Sequence, residues 1–231
     1  MIRKSEAPGA ADTAAEGRIE TGQVRSSTYR ARAELASAAL RELPEPWPYL
    51  GSPKERAALF RKELLRAALG YAARGLPVFP AMLIGGQKKP LVRWGKGEDG
   101  HPDLTRRCAT TDPETVRAWW ARWPLAMIGM PTGAPSGVAV LDIDTKNGVD
   151  GLASLRALGI DPFSLSSTIS RTPSGGLHVY LRYNGQLRNS AGLLATGVDI
   201  RGDGGYVVLP PSLPSIGSPE YQWEGGSHGC F

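Results

Sequence analysis

The chain has 231 residues, 41% of them hydrophobic, enough for one globular domain with a sizeable core. Its 27 lysines and arginines against 22 aspartates and glutamates leave a net charge of +5, which points to a polyanionic partner, because cationic surface attracts phosphates and releases counterions on binding. Cys108 and Cys230 lie far apart and outside any CxxC pattern, excluding a disulfide framework and a thiolate zinc site; no apolar run approaches the ~18 residues of a membrane span and no signal-peptide stretch opens the chain, so a soluble, cytoplasmic protein is expected.

Residues 1–50 are rich in Ala, Glu, Arg and Ser and end in the Pro-rich run LPEPWPYL. Seven basic and seven acidic residues cancel there, so the whole surplus, 20 basic against 15 acidic, belongs to residues 51–231. The expected organisation is a disordered or loosely helical tail over 1–50, a catalytic domain over 51–225 and a short tail over 226–231. Ser52, Pro53 and Glu55 stand in the order of an N-cap, a first-turn proline and a capping-box glutamate. They predict a helix whose stripe is Leu65, Ala68, Leu69 and Ala72 and whose stop is Gly75. A short strand over Leu76–Pro80 and a basic loop over Ile84–Gly100 follow.

Asp112, Pro113 and Glu114 signal a second helix through Val116, Trp119 and Trp120 to Pro124. Strands are predicted over Ala126–Met130 and Val138–Ile143, and a third helix over about Gly151–Leu158, ended by Gly159. The pattern then turns strand-rich: Ser167–Arg171, Leu177–Tyr183, Val198–Arg201, Tyr206–Leu209 and Tyr221–Trp223. A mixed α/β (α+β) sheet protein results.

Four segments carry candidate chemistry. In SGVAVLDIDTKNG, Val138–Leu141 reads as a central buried strand, and Asp142 and Asp144 at its end share one face, within reach of a common cation. Such hard-oxygen ligands suit magnesium better than zinc; alone, the pair is a weak motif that reads more readily as a solvated strand-end turn. In RTPSGGLHVYLRY, Leu177, Val179 and Leu181 alternate with His178, Tyr180 and Arg182, giving a core face and a polar face. Ser174-Gly175-Gly176 makes a tight turn whose amides could approach a phosphate or simply close a hairpin. A lone strand histidine is more often structural than catalytic.

In GVDIRGDGGYVVLPPS, Asp199 and Arg201 share one strand face, and Gly202-Asp203-Gly204-Gly205 reads as a hairpin turn, with Asp203 a turn residue rather than a ligand. The loop GGQKKPLVRWG sets Lys88, Lys89, Arg93 and Lys96 around Trp94, a phosphate clamp with a stacking aromatic for nucleic acid, or a solvated basic loop with Trp94 over the core.

In this order, the segments resemble the motifs of the bifunctional primase-polymerase (prim-pol) domain of the archaeo-eukaryotic primase superfamily, found in plasmid, phage and prophage replication proteins. VLDID resembles the first motif, SGGLHVY the second, and VDIRGDGGYVVLPPS the third; the KKP and Trp94 segment and the TGAPSG run also look like this branch. The resemblance covers about Ala67 to Trp223. It implies an RNA-recognition-like antiparallel sheet packed with helices and joined to an N-terminal α/β unit. It implies that Asp142, Asp144 and Asp199 bind two divalent ions, Mg²⁺ or Mn²⁺; the zinc-binding stem of some relatives is not expected, because Cys108 and Cys230 cannot build one. His178, with help from Ser174, would contact the triphosphate of the incoming dNTP or NTP. Arg201, and Lys88 or Lys89 or both, are further phosphate candidates, while Arg93, Trp94 and Lys96 are candidates for nucleic-acid contact.

The implied activity is template-dependent nucleotidyl transfer on single-stranded DNA with a primer. The metals would activate the attacking 3′-hydroxyl and stabilise the leaving pyrophosphate. Many relatives continue into a helical accessory region and a helicase; here the chain ends at Phe231, so a separately encoded helicase is a candidate partner, and a truncated remnant is a second reading. A metal-dependent nuclease would use the same side chains. A catalytically idle DNA-binding module is the non-enzymatic alternative.

Overall fold

The computed structural model describes residues 52–92, 109–215 and 217–226, together with the backbone of the pairs 95–96 and 102–103. The expected tail over 1–50, most of the C-terminal tail, both cysteines, and the side chains of Arg93, Trp94 and Lys96 lie outside the described residues.

Helix α1 spans Pro53–Ala73 and starts as its sequence demands: the Ser52 Oγ accepts the Glu55 amide at 3.4 Å, and the Glu55 carboxylate accepts the Ser52 amide at 2.7 Å. It ends where the Gly75 and Leu76 amides return to the carbonyls of Ala72 and Tyr71, with Gly75 at φ 80°. Its buried stripe is Leu64, Ala68, Tyr71 and Ala72; Leu65 and Leu69 only flank the core, a rotation of one position from expectation. Helix α2, Pro113–Arg122, is capped by Asp112, whose carboxylate accepts the Thr115 amide at 2.8 Å, and buries Val116 and Trp120.

Most strands fall into two antiparallel sheets. The first, ordered β11-β5-β1-β2, joins β1 (Phe79–Ile84), β2 (Gln87–Pro90), β5 (Met127–Pro131) and β11 (Tyr206–Leu209). The second, ordered β12-β7-β8-β6-β10-β9, joins β6 (Val138–Ile143), β7 (Ile169–Arg171), β8 (Leu177–Arg182), β9 (Ser190–Ala195), β10 (Val198–Arg201) and β12 (Gln222–Trp223). The short strands β3 (Gly95–Lys96) and β4 (Pro102–Asp103) pair with each other. Helix α3, Gly151–Ala157, is capped by Asp150, and the single turn α4, Pro162–Leu165, by Asp161.

Four expectations are corrected. The first strand begins at Phe79 and runs to Ile84, because Phe79–Ala81 pair with β5 and Ala81–Ile84 with β2, so the start of the basic segment is a hairpin and not a loop. β9 was not predicted, since SAGLLA is mostly exposed and shows no burial period. Nor was α4, a turn too short to show a helical period. Gly202–Gly205 closes no hairpin: β10 pairs with β6 and β9 while β11 pairs with β5, so the glycine-rich segment carries the chain from one sheet to the other.

One core cluster lies where Leu64, Ala68 and Tyr71 of α1 and Trp120 of α2 meet Ile128 and Met130, Val207 and Leu209, and Val138, Val140 and Tyr180 of the second sheet. The opposite face of the second sheet buries Leu141, Ile143, Leu177, Val179 and Val198 against Leu155 of α3. The second sheet is thus covered on both faces, which explains why its central strand reads as an unbroken apolar run. No described helix is long and apolar enough to cross a membrane.

Candidate active site

Strand register gathers the polar residues. β8 and β6 place His178 opposite Asp142, and β6 and β10 place Asp142 opposite Asp199. Directly paired residues of antiparallel strands project to the same face, so three segments that are distant in sequence form one row. His178 Nε2 lies 3.4 Å from the Asp142 Oδ1. Arg201, two residues along the face from Asp199, donates from Nε and Nη2 to the Asp142 Oδ2 at 3.1 and 3.0 Å, and from Nη2 to the Asp199 Oδ2 at 2.9 Å. The Gly192 amide on β9 donates to the other Asp199 oxygen at 3.0 Å.

The row is buried at His178 and half-buried at Asp142 and Asp199. His178 is 3% exposed, and its Nδ1 is buried without a hydrogen-bond partner among the described residues. Burial works to raise the pKa of Asp142, but the hydrogen bond and charge of His178 and those of Arg201 outweigh it and hold the carboxyl well below the usual carboxylate range. Asp142 therefore stays an anion. Lys88 is pushed the other way: burial lowers its pKa, opposed by Asp142 and Asp144 and reinforced by Lys146 and Arg201. Its ammonium lies over the Tyr221 ring, 5.2 Å from the centroid, and Tyr221 stands beside His178 with ring centroids 5.7 Å apart. Tyr206 donates from its hydroxyl to the Lys88 carbonyl and so fixes β2 over the row.

Asp144 lies just beyond the strand end. Its carboxylate pairs with Lys146 at 2.8 Å, apart from the Asp142–Arg201–Asp199 group. Its backbone is held from both sides, its amide on the Gly197 carbonyl and its carbonyl on the Gly151 amide, each at 2.8 Å. A Cβ on Gly151 would come within 2.3 Å of the Gly197 oxygen, so this close approach requires glycine. The Ser174 carbonyl accepts the Thr145 hydroxyl at 3.2 Å, and its own hydroxyl meets Thr172 at 3.1 Å. Ser174-Gly175-Gly176 does close the β7–β8 hairpin, and a Cβ on Gly176 would meet the Ile143 oxygen at 2.2 Å.

The two lysines separate by strand alternation. Lys88 points into the site, whereas Lys89 is exposed on the other face of β2. Asp203 serves the scaffold: one oxygen accepts the Ala134 amide at 2.9 Å and the other the Tyr183 hydroxyl, pinning the TGAPSG loop to the crossover. Two participants had not been singled out. Lys146 stands two residues beyond Asp144, and that spacing was a readable signal; Tyr221 arrives from a distant segment with none.

The donor chemistry can be tested against a divalent metal. Among the described residues no three His, Cys, Asp or Glu side chains gather as a ready metal cage. Two hard carboxylates, Asp142 and Asp199, do converge, and magnesium is usually bound through one or two carboxylates with water and substrate phosphates completing its shell. The residues fit a metal that arrives with a phosphorylated substrate, and Asp144 is a neighbouring carboxylate now committed to Lys146.

A His–Asp–Asp row across an antiparallel sheet, its histidine buried and its aspartates half-buried, is bordered by Arg201, Lys88 and Lys146 in a mixed α/β protein. The family model described as bifunctional DNA primase/polymerase, N-terminal (Prim-Pol), matches residues 68–228, and the chain belongs to this family. Membership implies nucleotidyl transfer of the primase-polymerase type, with DNA and nucleotides as substrates. No curated protein sequence matches the chain significantly.

Proposed function

We propose that the chain is a template-dependent DNA primase-polymerase that joins nucleotides at the Asp142–His178–Asp199 row, in the replication of a plasmid, phage or prophage-type element. The observation that carries this reading is the register that sets His178, Asp142 and Asp199 side by side across β8, β6 and β10, with Arg201 on two of them. Asp142 and Asp199, joined by Asp144, are the ligands for Mg²⁺ or Mn²⁺, two ions in the full assembly. The metal supplies Lewis-acid stabilisation of the transferring phosphoryl group and its nucleophile.

The chain's own residues do the rest. Asp142 is held as an anion by His178 and Arg201, the form in which a carboxylate binds a cation. His178, Lys88 and Arg201 offset charge on the triphosphate, and Ser174 supports its binding from the neighbouring turn. Burial strengthens the contacts of His178, where little water competes. Arg93, Trp94 and Lys96 are assigned to the template or primer strand, a separately encoded helicase to template opening, and the cytoplasm to the site of action.

Incorporation of labelled nucleotides on primed and unprimed single-stranded DNA, with Mg²⁺ or Mn²⁺, tests the proposal. Products are expected from the wild type and not from Asp142→Ala, and the unprimed lane reports whether the chain starts strands by itself. DNA binding without any product would leave a binding module; cleavage of the template without incorporation would make the chain a nuclease.

A further inference from the structure

Arg201 lies between the two carboxylates proposed above as metal ligands. Its Nη2 donates to both Asp142 and Asp199, and its Nε donates to Asp142 as well. The two aspartates face each other across paired strands, and their carboxylates repel unless a cation lies between them. A guanidinium can be that cation, but a guanidinium and a divalent ion cannot share the space, because both are positive and both use the inner oxygens. Arg201 is 30% exposed at its side chain while Asp142 is 16% exposed, so of the two partners the arginine is the more open to solvent.

We propose that Arg201 is a resident counter-ion of the Asp142–Asp199 pair, which a divalent metal must displace, so that metal and nucleotide load together. This rests on the reading of Asp142 and Asp199 as metal ligands. The local charges make loading a coupled event. Asp142, Asp144 and Asp199 are already accompanied by Arg201, Lys146 and Lys88. Divalent ions alone would leave the site strongly positive. The negative charge of a triphosphate removes that excess and gives the displaced guanidinium a new bidentate partner. Metal alone then binds weakly, and nucleotide strengthens it; by linkage, metal strengthens nucleotide to the same degree.

The test reads metal binding without catalysis. Free Mn²⁺ is measured by electron paramagnetic resonance over a titration of wild type, Arg201→Met and Arg201→Lys, with no nucleotide present. Arg201→Met is expected to bind Mn²⁺ at least tenfold more tightly than wild type, and Arg201→Lys to fall between, since an ammonium cannot reproduce the paired Nε and Nη2 bonds to Asp142. The unmutated protein gives a second measurement should the methionine variant not fold: the Nε resonance of Arg201 in an arginine-labelled sample should move as Mg²⁺ is added. Equal or weaker Mn²⁺ binding by the folded Arg201→Met protein overturns the displacement while leaving the metal site standing, as does an Arg201 resonance indifferent to saturating Mg²⁺. Absence of Mn²⁺ binding in every protein removes the metal site itself, and the displacement with it.

Discussion

The two faces of the six-stranded sheet are built by alternate residues of the same strands, yet they do different work. Beneath α3, Leu141, Ile143, Leu177, Val179 and Val198 make an apolar cluster with Leu155. On the other face Val138, Val140 and Tyr180 are equally buried, but one step along each strand the residues become Asp142, His178 and Asp199. Polar and apolar are thus divided along the strands on one face, not simply between the faces. A buried charge costs several kcal/mol unless it is paired and hydrogen-bonded, and the sheet meets that cost by aligning partners across three strands. One face stores stability, and the end of the other gathers charge.

Substitutions on the two faces should separate these roles. Asp142→Ala takes the central carboxylate from the row, and nucleotide incorporation is expected to fall to background while the circular dichroism spectrum stays that of the wild type. Full activity in this variant would remove the site from consideration. Leu155→Ala, fully buried on the opposite face, should cost about 2–5 kcal/mol in urea unfolding through lost transfer energy and the cavity left behind. Its kcat/KM per folded molecule should be unchanged, and a proportional fall in both would show that the faces are not separable.

A narrower contrast lies within one dipeptide. Lys88 is half-buried over the Tyr221 ring and within the electrostatic reach of Asp142, whereas its neighbour Lys89 is exposed on the other side of the strand. Lys88→Ala is expected to raise the KM for nucleotide by about tenfold, the effect of about 1.4 kcal/mol of lost binding. Lys89→Ala should stay within about twofold. Equal effects from the two lysines would mean that they act only through the general positive field and not through the site.

How much of this was readable depended on whether the information was local. Caps were fully legible, because Ser52 with Glu55 and Asp112 with Thr115 act over three residues. The same-face relation of Asp199 and Arg201 followed from strand period alone, and the structure adds the hydrogen bond between them. What could not be read from the residues was register: nothing near position 142 says that its partners are 178 and 199, and only the family resemblance suggested grouping them. The misreading of Gly202–Gly205 has the same origin. A glycine-rich tetrapeptide between strands looks like a hairpin, but whether the next strand pairs back or crosses to another sheet is decided by distant residues. Here Asp203, tied to Ala134 and Tyr183, holds the crossover in place. Polar alternation in LHVYLR likewise suggested a wet face, while Tyr180 is in fact enclosed by α1 and the first sheet.

That enclosure has a pH signature. Tyr71 donates to the Pro210 carbonyl at 2.7 Å and accepts from the Trp223 indole at 3.2 Å, and burial raises its pKa to about 12, opposed by the Trp223 hydrogen bond and by Arg74. The unfolded chain releases this proton near pH 10. Between about pH 10 and 12 the folded state therefore holds a proton that the unfolded state has lost. With more protons bound in the native state, stability declines as pH rises; the contribution is complete below about pH 10 and gone above about pH 12. Tyr180 and Tyr221, also raised by burial, extend the decline in the same direction. Tyr71→Phe should cost about 1 kcal/mol at neutral pH, the net worth of an ordinary hydrogen bond, and should also flatten the alkaline fall, because phenylalanine has no proton to lose. Urea midpoints at pH 8, 10 and 11 measure both effects: curves for the two proteins that converge with rising pH support the buried tyrosine as a titrating contact, and parallel curves would reduce it to packing alone.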